Sequence, residues 1–223
     1  MNHKKTIILL LLTISVITGA LGQTKNDTIA PKSIISFVPQ YLIKNGIRID
    51  YDTRIKEHHW LQLSPQFYLR ENSTYSSDDN GYEYSPGYDD HYYEDENDFN
   101  QLLGAGIHIY HRFYPTISFE GHTAYVKYGL TWQYFNISYD EKLFNSYVER
   151  HTNIHKTGAD INFGVVTFIN KFIGIDLYAG LGFRYSHRSS DADNPRKFND
   201  FFDNYGYTGN IVNLGLRISL YNY

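Results

Sequence analysis

Between Lys156 and His187 the side chains alternate between two faces for longer than a soluble sheet requires. Ala159, Ile161, Phe163, Val165, Thr167 and Ile169 share one face, and Asp160, Asn162, Gly164, Val166 and Phe168 share the other. After Asn170 and Lys171 the pattern restarts. Ile173, Ile175, Leu177, Ala179, Leu181, Phe183 and Tyr185 form an unbroken apolar file, opposed by Phe172, Gly174, Asp176, Tyr178, Gly180, Gly182, Arg184 and Ser186. Successive side chains of a strand point to opposite sides of the sheet, so each strand has one greasy face and one polar, glycine-rich face. Soluble strands run about five or six residues, whereas a tilted strand needs about 9–11 to cross a bilayer. This hairpin is long enough to cross, and its polar face carries the Asp and Arg expected of a barrel interior. The pattern predicts an all-β transmembrane barrel.

The N-terminus fits an exported protein. Lys4 and Lys5 precede an apolar run, Ile7 to Ile17, interrupted only by Thr13 and Ser15, and Ala20-Leu21-Gly22 supplies small residues for cleavage before Gln23. Residues 1–22 therefore read as a signal peptide. A membrane anchor would need about 20 apolar residues, which this run lacks. The chain contains no Cys, which excludes lipoprotein anchoring, disulfides and thiol chemistry. Removing Lys4 and Lys5 takes the formal charge from −4 to −6, and this mild acidity argues against nucleic acid as a partner. Residues 23–32 read as a flexible periplasmic lead-in. Within them Asp27-Thr28-Ile29 matches a Bacteroidetes O-glycosylation motif, for which a plain linker is the favoured reading.

Residues 33–223 form the expected barrel. The first strand is placed at Ser33 to Ile43, with Pro39 inside it, followed by Asn45-Gly46 as a tight hairpin turn. The second strand alternates Ile47, Ile49, Tyr51, Thr53 and Ile55 with Arg48, Asp50, Asp52 and Arg54. The third runs from Trp60 to Arg70, with Leu61, Leu63, Pro65, Phe67 and Leu69 outward and Gln62, Ser64, Gln66, Tyr68 and Arg70 inward. The fourth is Phe99 to Phe113, the fifth His122 to Tyr139, and the eighth Gly209 to Leu220. The hairpin described above supplies the sixth and seventh. Long outer loops are expected at 71–98, 140–153 and 188–208, and short turns between their neighbours. Short periplasmic turns alternating with long outer loops put both termini in the periplasm.

The inward files bring Arg48, Arg54, Arg70, Arg112, Arg184, Arg217 and Lys127 together with Asp50, Asp52, Asp160 and Asp176. An eight-stranded barrel is just wide enough for side chains to fill, and buried charges demand partners. A plugged lumen tied by ion pairs is expected, with a narrow pore as the alternative and His108 as a lumen hydrogen-bonding residue rather than a metal ligand. Tyr128, Trp132, Tyr134 and Tyr185 fall on the lipid-facing parity, where their rings suit the headgroup level. The loop at 71–98 holds Glu71, Asp78, Asp79, Glu83, Asp89, Asp90, Glu94, Asp95, Glu96 and Asp98, more than a third of the 24 acids in the chain. It reads as a solvated loop or as a binding surface. In the second case its carboxylates offer oxygen ligands to Ca²⁺, although no complete EF-hand spacing is present. Tyr82, Tyr84, Tyr88, Tyr92 and Tyr93 offer flat faces to sugars or proteins.

On these grounds the chain resembles the small eight-stranded outer-membrane β-barrels of Gram-negative bacteria, especially those of Bacteroidetes. Two local features add to the architecture. Tyr51-Asp52 is similar to the Tyr-Glu pair that often closes the second strand in such barrels. Leu214-Gly215-Leu216-Arg217-Ile218-Ser219-Leu220 is similar to their C-terminal assembly signal, either displaced by the three residues Tyr221-Asn222-Tyr223 or read from Tyr223. The resemblance implies an antiparallel up-and-down barrel, monomeric, surrounded by outer-membrane lipids and inserted by the barrel-assembly machinery. The expected role is non-enzymatic and porin-like in form: membrane integrity, or surface interaction with an extracellular ligand or protein at loop 71–98. No catalytic, cofactor or metal residue is assigned. The alternatives are a narrow channel and a lipid-A-modifying hydrolase. Some small barrels modify lipid A with a Ser or His at the outer rim. Here Ser138 and His155 share outward parity on neighbouring strands, with Glu149 or Glu141 to orient the His.

Overall fold

A computed structural model describes residues 31–71, 99–115, 121–143, 146–192, 195–199 and 204–223. The signal peptide, the glycosylation-like motif and almost all of the acidic loop lie outside the described residues. Eight antiparallel strands form a closed ring: β1 (Ser33–Phe37), β2 (Gly46–Lys56), β3 (His59–Glu71), β4 (Gln101–Phe113), β5 (His122–Leu143), β6 (Ser146–Phe168), β7 (Ile173–Ser190) and β8 (Gly209–Asn222). Each strand pairs with its sequence neighbours and β1 closes onto β8, the order of an up-and-down barrel.

The alternation read from the sequence becomes the inside and outside of the ring. Ile47 and Ile49 on β2, Phe67 and Leu69 on β3, Leu130 on β5, Ile161 and Phe163 on β6, Leu177 and Leu181 on β7 and Val212 and Leu214 on β8 are exposed on the outer face. Their inward neighbours Asp50, Gln62, Ser64, Gln66, Asp176 and Arg217 are wholly buried. In water this distribution would be inverted. A contiguous apolar belt outside and a polar core inside suit a protein whose solvent is lipid. Lumen glycines seat aromatic rings: a Cβ at Gly164 would run into the Tyr125 ring, and one at Gly215 into Tyr178.

Several expectations need correction. The first strand stops at Phe37 rather than Ile43. Pro39 has no N–H to donate to a ladder, and it caps a single helical turn, α1 (Gln40–Ile43). Asn45-Gly46 is consequently no two-residue hairpin. Asn45 takes a positive φ of 55° to leave α1, and Gly46 opens β2. The polar loop expected at 140–153 is paired strand, since the β5–β6 register runs unbroken to Leu143 opposite Ser146. Here both faces are polar, so the alternation disappears although the ladder continues. The loop expected from residue 188 begins only after Ser190, where β7 ends. Arg54, expected inside, is exposed, because the β2–β3 register shifts between Arg54 and Lys56. Phe172 is likewise exposed, in a turn where Asn170 Oδ1 accepts the N–H groups of Phe172 (2.8 Å) and Ile173 (3.0 Å).

Candidate functional site

The lumen is layered from the end that carries the termini to the end that carries the long connections. At the terminal end Ile34, Trp60, Tyr114, Tyr125, Val166, Phe168 and Tyr221 pack into one cluster across the barrel. Tyr221, which follows the assembly-signal residues, thus closes the lumen floor; its ring lies 4.9 Å from that of Phe168.

Above this floor three carboxylates meet three guanidiniums. Asp52 pairs with Arg112 at 2.7 Å, and Arg112 reaches on to Asp176 at 3.1 Å. Arg217 donates from Nε to Asp176 (2.9 Å) and from Nη1 to Asp50 (3.0 Å). Arg48 pairs with Asp50 at 2.6 Å. Gln62 donates to Asp50 (2.9 Å) and Tyr125 to Asp176 (2.7 Å), which fills more of the oxygen lone pairs. Charges taken from water are tolerated only when paired and hydrogen-bonded in this way. These are the lumen ion pairs anticipated from parity.

The next layer is a chamber of about 180 Å³. Arg184 and Asp160 pair in its wall at 2.7 Å, and Asp160 also accepts from Tyr110 (2.6 Å) and Asn213 (2.9 Å). His108 sits between Gln66 (2.9 Å) and Tyr110 (2.9 Å), the hydrogen-bonding role expected of it. Two lysines face the chamber without a carboxylate partner among the described residues. Lys156 donates to the backbone carbonyl of Asn204. Lys127 Nζ, on a side chain 1% exposed, has no hydrogen-bond partner among the described residues. It lies 3.7 Å from the Tyr178 ring centre and 5.0 Å from that of Tyr110, so ring quadrupoles are its nearest compensation. Tyr68, Phe99, Leu102, Phe135, Ile137, Tyr139, Ile154, Phe198 and Tyr205 form a second aromatic cluster beyond the chamber.

Sequence reasoning missed Lys156, Tyr41, Phe198 and Tyr205. Lys156 shares the inward parity of Asp160 on β6, two inward positions nearer the N-terminus. Tyr41 was hidden by the strand assigned across it, yet its hydroxyl accepts from Arg48 at 3.0 Å. Phe198 and Tyr205 come from a connection with no periodicity to read. Arg70, expected among the lumen charges, lies at the rim over the Phe99 ring, 4.8 Å away.

The outer-rim trio is not assembled. The register sets Ser138 opposite His151 and His155 opposite Tyr134. Four residues along a strand separate Ser138 from His155 by about 13 Å. Ser138 is buried, the His155 ring lies 5.0 Å from that of Tyr134, and Glu141 pairs with Arg150 at 2.8 Å. Tyr128, Trp132 and Tyr185 are exposed on the outer face at girdle positions, while Tyr134 is half-buried and donates to Asn153 (2.6 Å). No group of three or more potential metal ligands occurs among the described residues.

No family model and no curated protein matches the sequence. Solved structures do. A major outer-membrane protein from Thermus thermophilus superposes with a TM-score of 0.50 at 11% identity, over 87% of this chain and all of that one. The fold is that of an eight-stranded outer-membrane β-barrel. The N-terminal barrel domain of Pseudomonas aeruginosa OprF is also similar, with a TM-score of 0.41 and 12% identity over 86% of this chain and 99% of that one. So is Acinetobacter baumannii CarO, with a TM-score of 0.39 and 11% identity over 89% of this chain and all of that one. The Bacteroidetes likeness of this outer-membrane barrel rests on its sequence alone.

Proposed function

We propose that the protein is an integral, monomeric, non-enzymatic outer-membrane protein with both termini in the periplasm. Its role is to stabilise the membrane or to present its loops, above all the acidic tyrosine-rich segment 71–98, to an extracellular ligand or protein. Outer-membrane lipids surround it and the barrel-assembly machinery inserts it. The observation that carries this reading is the stacking of the lumen: an aromatic floor, a neutral ion network and a second aromatic cluster occupy the axis along which a porin would conduct. With the axis filled, the loops are what the barrel offers to the outside. The register that parts Ser138 from His155 supports the non-enzymatic reading over a lipid-modifying one.

Protease treatment of intact cells followed by mass spectrometry of the fragments tests orientation and loop exposure together. Cleavage within 71–98 or 191–208, with 114–121 protected, is the expected result. Cleavage confined to 114–121 would reverse the orientation and remove the loops from the outer surface.

A further inference from the structure

The wall of the barrel is incomplete on one side. β8 runs from Gly209 to Asn222, but β1 covers it only from Ile218 onward, because β1 ends at Phe37. The Tyr221 N–H donates to the Phe172 carbonyl beside β7, so the odd-numbered residues of β8 turn their backbone groups toward β7. The even-numbered ones turn toward the β1 seam. Ile218 meets Phe37 there, but the residue that would face Leu216 is Pro39. Beyond it, no backbone bond joins 39–45 to the seam-facing groups of Val212 and Leu214 among the described residues.

This gap opens onto the chamber: Gln40, Tyr41 and Lys44 line one side of the cavity and Ile211 to Leu214 the other. Its outer lip is apolar, with Val212 70% and Leu214 72% exposed on β8, and Leu42 and Ile43 exposed on α1. Its interior is basic. Every buried Asp among the described lumen residues already has a guanidinium, which leaves Lys127 and Lys156 as basic groups with no carboxylate among those residues. An open sheet edge is not stable against hydrocarbon, and a buried lysine with no carboxylate beside it is held as an ammonium by an anion brought to it. One kind of occupant answers both.

We propose that the gap is a lateral portal through which the anionic phosphate or carboxylate headgroup of an amphiphile enters the chamber. Its acyl part stays in the bilayer against Val212 and Leu214. The headgroup meets Lys127 and Lys156, and its oxygens accept from the free edge of β8. At about 180 Å³ the chamber has room for a headgroup and several waters. The inference rests on the transmembrane reading above, so insertion is scored separately from binding.

The test uses dodecyl phosphate with a photoactivatable diazirine in its chain, added to the protein refolded into phosphatidylcholine vesicles. Heat-modifiable gel migration first reports insertion; a wild-type chain that does not insert removes the membrane reading itself. With inserted protein, saturable binding at one molecule per barrel is expected, with chain cross-links concentrated at Leu42, Ile43, Val212 and Leu214. Dodecylphosphocholine and inorganic phosphate should each bind at least tenfold more weakly. Lys127→Gln, inserted normally, should lose at least tenfold in affinity. Cross-links spread evenly around the belt, equal binding of the zwitterionic analogue, inorganic phosphate binding as tightly as dodecyl phosphate, or an unchanged Lys127→Gln each overturns the portal. If Lys127→Gln does not insert, the wild-type cross-linking pattern decides alone.

Discussion

Asp176 and Leu177 are adjacent in sequence and face different solvents. Asp176 receives Arg112, Arg217 and Tyr125 inside the barrel, whereas Leu177 is exposed on the belt. Asp176→Ala leaves Arg112 and Arg217 short of a shared carboxylate and should cost about 3–5 kcal/mol, the range for breaking a buried pair from one side. Leu177→Arg should cost about 2–4 kcal/mol at the bilayer midplane. Urea titration of refolding into vesicles measures both. The two are separable in detergent micelles, where a lipid-facing arginine is more easily hydrated but the lumen pair is still missing, so only Asp176→Ala should retain its full defect. A penalty for Leu177→Arg equal to or larger than that of Asp176→Ala in both media would place Leu177 inside.

Among the elements, β5 and β6 differ from the rest. They run for 22 and 23 residues, roughly twice the 9–11 needed to cross. Their apolar outer file ends near Trp132 and Ala159, so the distal rungs stand clear of the belt. Replacing 141–148 with Asn-Gly, a two-residue turn that suits a hairpin, should leave insertion unchanged. The Arg150–Glu141 pair lost with it is partly exposed and worth less than about 1 kcal/mol. Unfolded chains on a heat-modifiability gel would show instead that the distal ladder holds the barrel together. The strands inside the belt were legible in the sequence because two solvents act on alternate side chains. The distal hairpin was not, because past the belt both faces are polar and only backbone pairing remains. α1 escaped for a different reason: Ser33 to Ile43 is largely apolar, and composition alone does not show where Pro39 turns the chain. The lumen charges were read correctly at Arg112, Asp176 and Arg217, mid-strand positions with intact parity, whereas Arg70, at the far end of β3, keeps its parity but reaches the rim. Reading failed at Arg54, where a register shift breaks the parity.

In the molecule as a whole, two aromatic clusters and the ion network between them cross the lumen. Planar-bilayer recordings should therefore show no stable conductance steps for the wild type, whatever the salt. Trp60→Ala together with Tyr114→Ala, which empties much of the terminal floor, should still show none, because the Asp52–Arg112–Asp176–Arg217 layer remains. Discrete openings in the wild type would mean that the lumen packing is not the resting state.

The distribution of the network along the chain bears on how such a barrel is built. Asp50 and Asp52 lie on β2, and Arg217, which joins both of them to Asp176 on β7, lies on β8, so this part of the network forms only when the ring shuts through β1. Until Arg217 arrives, Asp50, Asp52 and Asp176 share only the two guanidiniums of Arg48 and Arg112. Arg217 thus acts as a keystone: a chain truncated before β8 should leave these carboxylates one guanidinium short, and such a chain is expected to insert less readily than the full one.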